Sequence, residues 1–378
     1  MNQGWVRKKL KDCFKLKSGD GLTAKNMIAG DYPVFGGNSQ AGTHNTFNLS
    51  GDNVIVGRVG ALCGNARHIT EDIWLTDNAF KIIDKKYDFD NKFLTYLLNF
   101  KNLRSLARQA AQPVISNSSL KDLELEFPLD VEEQKRIVSL LDTVFADLEQ
   151  TRAKTEQNLK NARELFDSYL QQVFSQKGEG WVESALGELS QINYGYTEKA
   201  SFDANGPHFL RITDIQDGEV DWSTVPFCPI SEADHNKHKL ISGDIVFART
   251  GATTGKSYLL TSPPDSVAAS YLIRLRLTSD SLLPEFVKFF FQTKEYWDVV
   301  NAGMSGSAQG GFNASKLSAM KIKYPQCQDA QNKFIEQLIE VSSHVDQVKD
   351  VYMNKLVAID ELKKSILQKA FSGELTHE

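Results

Sequence analysis

Two stretches of the chain, 131–175 and 329–371, contain neither proline nor glycine and place apolar residues at three- and four-residue steps. In the first these are Val138, Leu141, Phe145, Leu148, Leu159, Ala162, Leu165, Tyr169 and Val173. In the second they are Ile335, Leu338, Val345, Val348, Tyr352, Leu356, Ile359, Leu362, Ile366 and Ala370. The spacing predicts one long helix in each stretch, with a narrow apolar seam sustained for about six heptads. At ~1.5 Å per residue each would be about 65 Å long. Lys177-Gly178 and Ser372-Gly373 follow as stop signals. Thr151 and Thr155 occupy seam positions where the second stretch has Val348 and Tyr352. A helix with a single apolar stripe needs a partner. The simplest partner is the other copy, packed antiparallel; the alternative is that each helix folds back on its own domain.

The rest of the chain repeats as well. Trp5-Val6 returns as Trp181-Val182, and Gly51-Asp52 as Gly243-Asp244, each latter pair leading into an apolar run, Val54-Ile55-Val56 or Ile245-Val246-Phe247. Arg58, Gly60 and Gly64 match Arg249, Gly251 and Gly255 at a constant offset of 191. Further on the offset settles at 197, pairing Gln112 with Gln309, Leu120 with Leu317, Pro128 with Pro325, Gln134 with Gln331, Leu141 with Leu338 and Phe174 with Phe371. One unit is therefore a variable globular part followed by a length-locked helix, used twice. The divisions are 1–130 and 178–326 for the globular parts, with 131–177 and 327–378 for the helices. Strands are expected at Asn53–Val56, Ile245–Ala248 and Tyr271–Leu277, and short helices at Lys92–Leu106 and Pro284–Val300. Glycine turns such as Gly36-Gly37-Asn38 and Gly303-Met304-Ser305-Gly306 separate them. The fold class is α+β: two mixed α/β domains joined by two long helices in an antiparallel coiled coil, with pseudo-two-fold repetition.

Composition narrows the setting. Of 378 residues, 41% are hydrophobic and 24% charged, ordinary for a folded globular chain. No apolar run approaches the roughly 18–20 residues of a membrane span, and the first ten residues lack the apolar core of a signal peptide. Four scattered cysteines, Cys13, Cys63, Cys228 and Cys327, suggest neither a disulfide framework nor a zinc site. A cytoplasmic location is expected. The net charge of −5 argues at first against nucleic acid. Divided by segment, however, 1–130 carries +3, 131–177 carries −1, 178–326 carries −4 and the remainder −3. A binding face in the second domain must then concentrate Arg211, Arg249, Lys256 and Arg274.

Catalytic patterns are missing. Gly251-Ala-Thr-Thr-Gly255-Lys256-Ser257 has three residues between its glycines where a phosphate loop has four, and strand-like residues follow where a helix must. His235-Asn-Lys-His238 reads as a solvated loop with no third metal ligand near it. Neither Pro264-Asp265 nor Ser262-Pro-Pro-Asp265 completes a nuclease or amino-methyltransferase centre, and no Gly-x-Ser-x-Gly elbow occurs. The chain is expected to be no enzyme, and to bind no cofactor or metal of its own.

Several short motifs together resemble the DNA-specificity subunit of type I restriction–modification systems. They are Tyr32-Pro-Val-Phe-Gly-Gly-Asn38 with Arg58-Val-Gly60, then Leu210-Arg-Ile-Thr-Asp-Ile215, Gly243-Asp-Ile-Val-Phe-Ala-Arg-Thr-Gly251 and Gly255-Lys256. Pro128 with Glu133-Gln134 resembles that family's domain-to-helix junction, and Ile366-Leu-Gln-Lys-Ala-Phe-Ser-Gly-Glu-Leu375 its usual ending. The second junction departs, with Asp329-Ala330-Gln331. The resemblance implies that each domain is a target-recognition domain reading half of a bipartite, asymmetric double-stranded DNA target. The helices would set the spacer and dock two methyltransferase subunits, which bind S-adenosylmethionine; motor/nuclease subunits complete a restriction complex. A coiled-coil adaptor without DNA specificity is the rival reading.

Base edges are read by Arg, Lys, Asn, Gln, Ser and Thr, and such residues usually sit on loops of a rigid scaffold. The candidates are Asn38, Gln40, His44, Arg58, Asn65 and Arg67 in the first domain. In the second they are Arg211, Thr213, Arg249, Thr250, Thr253, Lys256, Ser257 and Tyr271. Arg58 and Arg249 stand out because they recur beside a glycine turn, where a structural role or a shared phosphate contact is equally open.

Overall fold

A computed structural model describes residues 4–108, 112–176, 178–216, 218–304 and 311–376. Gln309, the Ser305-Gly306 turn and Lys177 lie outside them. The chain divides into two compact units, Met1–Glu156 with Asn354–Glu378, and Gln157–Met353. Each unit thus takes a globular part, one portion of the first long helix (Val131–Phe174) and one portion of the second (Gln328–Ser372).

In the first unit a four-stranded antiparallel sheet has the order Lys15–Ser18, Ala79–Ile83, Asn53–Gly57, Ala66–Ile69. In the second unit the order is Ser190–Tyr194, Leu272–Leu277, Ile245–Ala248, Ser257–Leu259. The strand after each Gly-Asp pair occupies the same interior place, which explains why those runs are apolar throughout: both faces are covered. A two-stranded ribbon closes each domain with the same register, Trp5 opposite Pro128 and Trp181 opposite Pro325. The domains differ in their insertions. The first adds a small sheet of Tyr32–Phe35, Gln40–His44 and Trp74–Leu75. The second adds a parallel pair, His208–Leu210 with Ser266–Ala268, and a hairpin at Ile215–Gln216 and Glu219–Val220.

The start of each long helix is fixed by one buried glutamine. Gln134 donates from Nε2 to the carbonyls of Asp88 and Pro128 at 3.1 and 3.0 Å, and its Oε1 accepts the Asp90 N–H at 2.9 Å. Gln331 repeats the pattern with Ser281 and Pro325 at 2.6 and 2.7 Å and the Leu283 N–H at 2.9 Å. The departure at Asp329-Ala330 therefore leaves the second junction intact, because the glutamine carries it. Gln134→Leu keeps the volume but strands the buried Pro128 carbonyl and two part-buried groups, the Asp88 carbonyl and the Asp90 N–H. It is expected to cost about 2–4 kcal/mol in urea unfolding, and an unchanged midpoint would remove Gln134 from this role.

Within the first unit the helices run antiparallel, as residues 149 and 152 of one meet 363 and 360 of the other. Lys363 Nζ reaches Glu149 at 3.0 Å and Arg152 pairs with Asp360. In the second unit the Tyr169 hydroxyl meets Gln337 at 3.3 Å. The helices also cover the domains. Val138, Leu141 and Phe145 join Ala370 and Phe371 in the first domain's core. Leu170, Val173 and Phe174 join Ile335 and Leu338 in the second.

Three expected seam residues lie outside it. Leu165, Val348 and Leu362 are exposed, while Phe166, Lys349 and Lys363 are half-buried at the adjacent positions. The Lys363 amine sits 5.0 Å from the Phe145 ring centre, so its stem packs while its charge is paired. Thr155 is buried in the seam because its hydroxyl donates back to the Thr151 carbonyl at 2.7 Å. Two short helices also differ from expectation. Asn91–Phe100 stops before Asn102, whose φ is 49°. Pro284–Val300 splits into Pro284–Phe290 and Lys294–Met304, because the Thr293 hydroxyl accepts the Tyr296 N–H and starts a second helix.

Among the described residues no helix is long and apolar enough to cross a membrane, and no group of three or more His, Cys, Asp and Glu residues could hold a metal ion.

Candidate nucleic-acid interface

The recurring arginines sit on identical backbone frames. The Arg58 N–H donates to Asn78 and its carbonyl accepts from Ile115, each at 2.9 Å. The Arg249 N–H donates to Tyr271 at 3.1 Å and its carbonyl accepts from Phe312 at 2.9 Å. The turns beyond them match as well: Cys63 N–H to the Gly60 carbonyl and Thr254 N–H to that of Gly251, both 3.1 Å. Gly60, Gly64, Gly251 and Gly255 all have φ between 77° and 96°. This left-handed backbone disfavours any side chain, which accounts for the repeat of these glycines in sequence.

Each arginine side chain lies over an aromatic ring, Phe80 at 5.5 Å for Arg58 and Tyr194 at 4.7 Å for Arg249. Each also donates one Nη1 bond to a carbonyl, Asp77 at 3.3 Å and Ser270 at 3.4 Å. A guanidinium has five N–H groups, so both retain donors for a ligand. The arginines are thus oriented by the fold with capacity left over.

In the first domain the loop Gly36-Gly37-Asn38 packs on the Arg58 loop so closely that a Cβ on Gly37 would lie 1.9 Å from the Val59 carbonyl oxygen. The contact opens a groove of about 1020 Å³ that Asn38 and Gln40 line. Asn38 also accepts the Leu62 N–H at 3.0 Å, which ties the two loops together. Asn65 is exposed and lines a separate, smaller crevice with Leu62 and Arg104. Arg67 is half-buried on the strand opposite Ile55; burial works against its charged form, and no carboxylate pairs with it among the described residues. His44 faces inward. Its Nδ1 accepts the Ile28 N–H at 3.1 Å and its ring meets Trp74 edge-on, so this buried side chain helps hold the small sheet together.

In the second domain Arg249, Thr250 and the exposed Tyr271 lie together, with Tyr194 beneath the guanidinium. Lys256 is exposed and Thr253 and Ser257 are half-buried along the adjoining turn, where the Lys256 N–H donates to Thr253 at 2.9 Å. This turn leads directly into the strand Ser257–Leu259, so the phosphate-loop reading fails for want of a helix. Thr213 is exposed.

Two of the four cations expected to form the second domain's face are otherwise engaged. Arg211 forks onto Asp214 at 3.0 and 2.6 Å, and that hydrogen-bonded pair raises its pKa. Arg274 is buried, donating at 3.2 Å to the carbonyls of Lys237 and Lys239. Arg249 and Lys256 remain. His235 and His238 sit on the helix Glu232–His238 and not on a loop, with His235 paired to Asp265 at 2.9 Å.

Sequence reasoning missed Tyr194, whose ring supports Arg249, and three amides on the first groove, Asn26, Asn78 and Gln112. The signal that could have found Asn78 is its place just ahead of a strand matched in the second domain, where the candidate Tyr271 stands.

A domain used twice, each copy holding an oriented arginine beside a glycine turn and each packed against paired long helices, defines a modular protein of two matched units. The sequence profile described as "Type I restriction modification DNA specificity domain" matches residues 2–159 and 178–349, and the chain belongs to this family. It is 29% identical over 265 residues to the EcoKI specificity subunit of Escherichia coli K12, covering 65% of this chain and 56% of that one. It is 24% identical over 334 residues to the StySPI specificity subunit of Salmonella potsdam, covering 84% and 69%. The match thus spans little more than half of the first relative's length. The fold is shared with a chain from a structure describing complex assembly and conformational transition of the type I R-M system, with TM-score 0.79, 17% identity and 98% of both chains covered. It is also shared with the HsdS subunit from Thermoanaerobacter tengcongensis, with TM-score 0.60, 18% identity and coverage of 99% and 98%.

Proposed function

We propose that this chain is the sequence-specific DNA-recognition subunit of a type I restriction–modification complex. Each globular domain reads one half of a bipartite, asymmetric target in double-stranded DNA. The long helices set the spacer and dock two methyltransferase subunits, which bind S-adenosylmethionine and carry the chemistry; motor/nuclease subunits join for cleavage. The chain itself contributes recognition and no catalytic group, and it works in the cytoplasm. The observation that carries this reading is the matched frame around Arg58 and Arg249, one oriented cation per domain, in a chain of the specificity family. Family membership also favours it over a coiled-coil adaptor without DNA specificity.

In this reading Arg58, Arg249 and Lys256 meet phosphates or bases, Arg67 supplies a further cation, and Asn38, Gln40, Asn65, Thr213, Thr250, Thr253, Ser257 and Tyr271 are the neutral groups near them. Arg211 acts through its fork with Asp214, holding the loop that carries Thr213. The second domain's charge of −4 is tolerable because the methyltransferase partners supply the remaining cationic surface.

Exchanging residues 1–130 for those of another family member tests the modularity. Methylation mapping of cells carrying the hybrid complex should show a new sequence at one half-site, with the other half-site unchanged. A change at both half-sites would overturn the assignment of one domain to one half.

A further inference from the structure

The groove in the first domain is lined by neutral polar side chains interleaved with apolar residues and glycines, and no cation lines it. Five side-chain amides reach it, from Asn26, Asn38, Gln40, Asn78 and Gln112, and its one charged residue is Asp77. A surface made to hold phosphate is built from cations, whereas base edges are read by groups that both donate and accept. Among the described residues the side-chain amides of Asn26, Asn78 and Gln112 have no hydrogen-bond partner, so each offers a carbonyl and an NH2 side by side. That pair matches the N6 donor and N7 acceptor of adenine in the major groove.

Asn78 is the best held of the three. Its carbonyl accepts the Arg58 N–H at 2.9 Å, and the next residue begins the strand Ala79–Ile83 inside the four-stranded sheet. A reading group whose backbone is anchored at the start of a strand, beside an oriented arginine, has only its side-chain rotamer left to order. In the second domain the same backbone place, accepting from Arg249 and preceding the strand Leu272–Leu277, is taken by Tyr271. One frame therefore carries two different reading chemistries, an amide in the first domain and an exposed phenol in the second.

We infer that Asn78 is a specificity-determining residue of the first domain, reading adenine of an A·T pair through both edges of its amide. This rests on the proposed DNA-recognition function. The test compares the motif methylated by the assembled methyltransferase complex carrying the wild-type chain, Asn78→Ala or the nearly isosteric Asn78→Asp. Discrimination for adenine at one position of one half-site is expected to fall by roughly 5- to 150-fold, with the second half-site and the spacer unchanged. The intact second half-site serves as the control for folding. An unchanged motif in both variants would overturn the inference. So would relaxation at a G·C position, relaxation in the second half-site, or loss of all methylation by both variants in an assembled complex. A wild-type complex with no bipartite motif would instead sink the recognition function itself, and this inference with it.

Discussion

Replacing Arg276 with methionine is expected to destabilise the unit formed by Gln157–Met353 by about 3–5 kcal/mol. Arg276 grips Asp244 with two bonds of 2.7 Å, and Asp244 is 0% exposed. The carboxylate also accepts the Ile241 N–H at 2.9 Å, and the guanidinium donates to the Lys239 carbonyl at 2.9 Å. Removing the cation leaves a buried charge facing one N–H, and desolvation is no longer offset. Urea unfolding followed by tryptophan fluorescence measures the loss. A double variant, Asp244→Leu with Arg276→Met, should recover most of it, because the stranded charge is gone. If the single variant unfolds at the wild-type midpoint, the pair does not stabilise the domain. The first domain offers a contrast, since the matching Asp52 is exposed and pairs with His68.

The second large effect lies at the far end of the chain. Phe371 is buried against Phe93 at 5.6 Å and stacked on Phe100 at 5.1 Å between ring centres. The ring that completes the first domain's core thus lies about 270 positions further along the chain than Phe93 and Phe100, on which it packs. Phe371→Ala should cost about 3–5 kcal/mol through lost burial and the cavity left behind. Deleting everything after Ser365 also removes Ile366, Leu367, Ala370 and Leu375 from that core. Limited proteolysis should then cut within 1–130 and spare 178–326. Equal sensitivity of both regions, or of neither, would contradict the assignment of this segment to the first domain.

The resemblance to specificity subunits was legible because the motifs that carry it are backbone motifs. Glycines at φ near 90° must recur wherever the turn recurs, so Gly60 and Gly64 announce Gly251 and Gly255. The glutamines at 134 and 331 recur for a similar reason, since each is buried and satisfies three backbone groups at its junction. The seam was harder. With a 3.6-residue period, neighbouring apolar positions compete for the same stripe, and nothing local says that Phe166 turns inward while Leu165 does not.

Site residues were legible only as types. Arg211, Arg249 and Arg274 look alike in sequence, yet one is forked on Asp214, one lies over Tyr194 and one is buried beneath two carbonyls. Their partners are distant in sequence for Arg249 and Arg274, and even the near pair, Arg211 with Asp214, depends on a turn whose shape is set by packing.

The amino-acid sequence by itself determined the duplication, the two long helices and the glycine turns, because periodicity and backbone conformation are local properties of a chain. Tertiary structure alone decided which cations remain available to a ligand, that His44 faces inward, that amides gather on one groove, and that the last turns of the chain belong to its first domain. Those depend on which distant groups meet, and burial assigns each polar side chain either to another residue or to the solvent side, where a ligand can reach it.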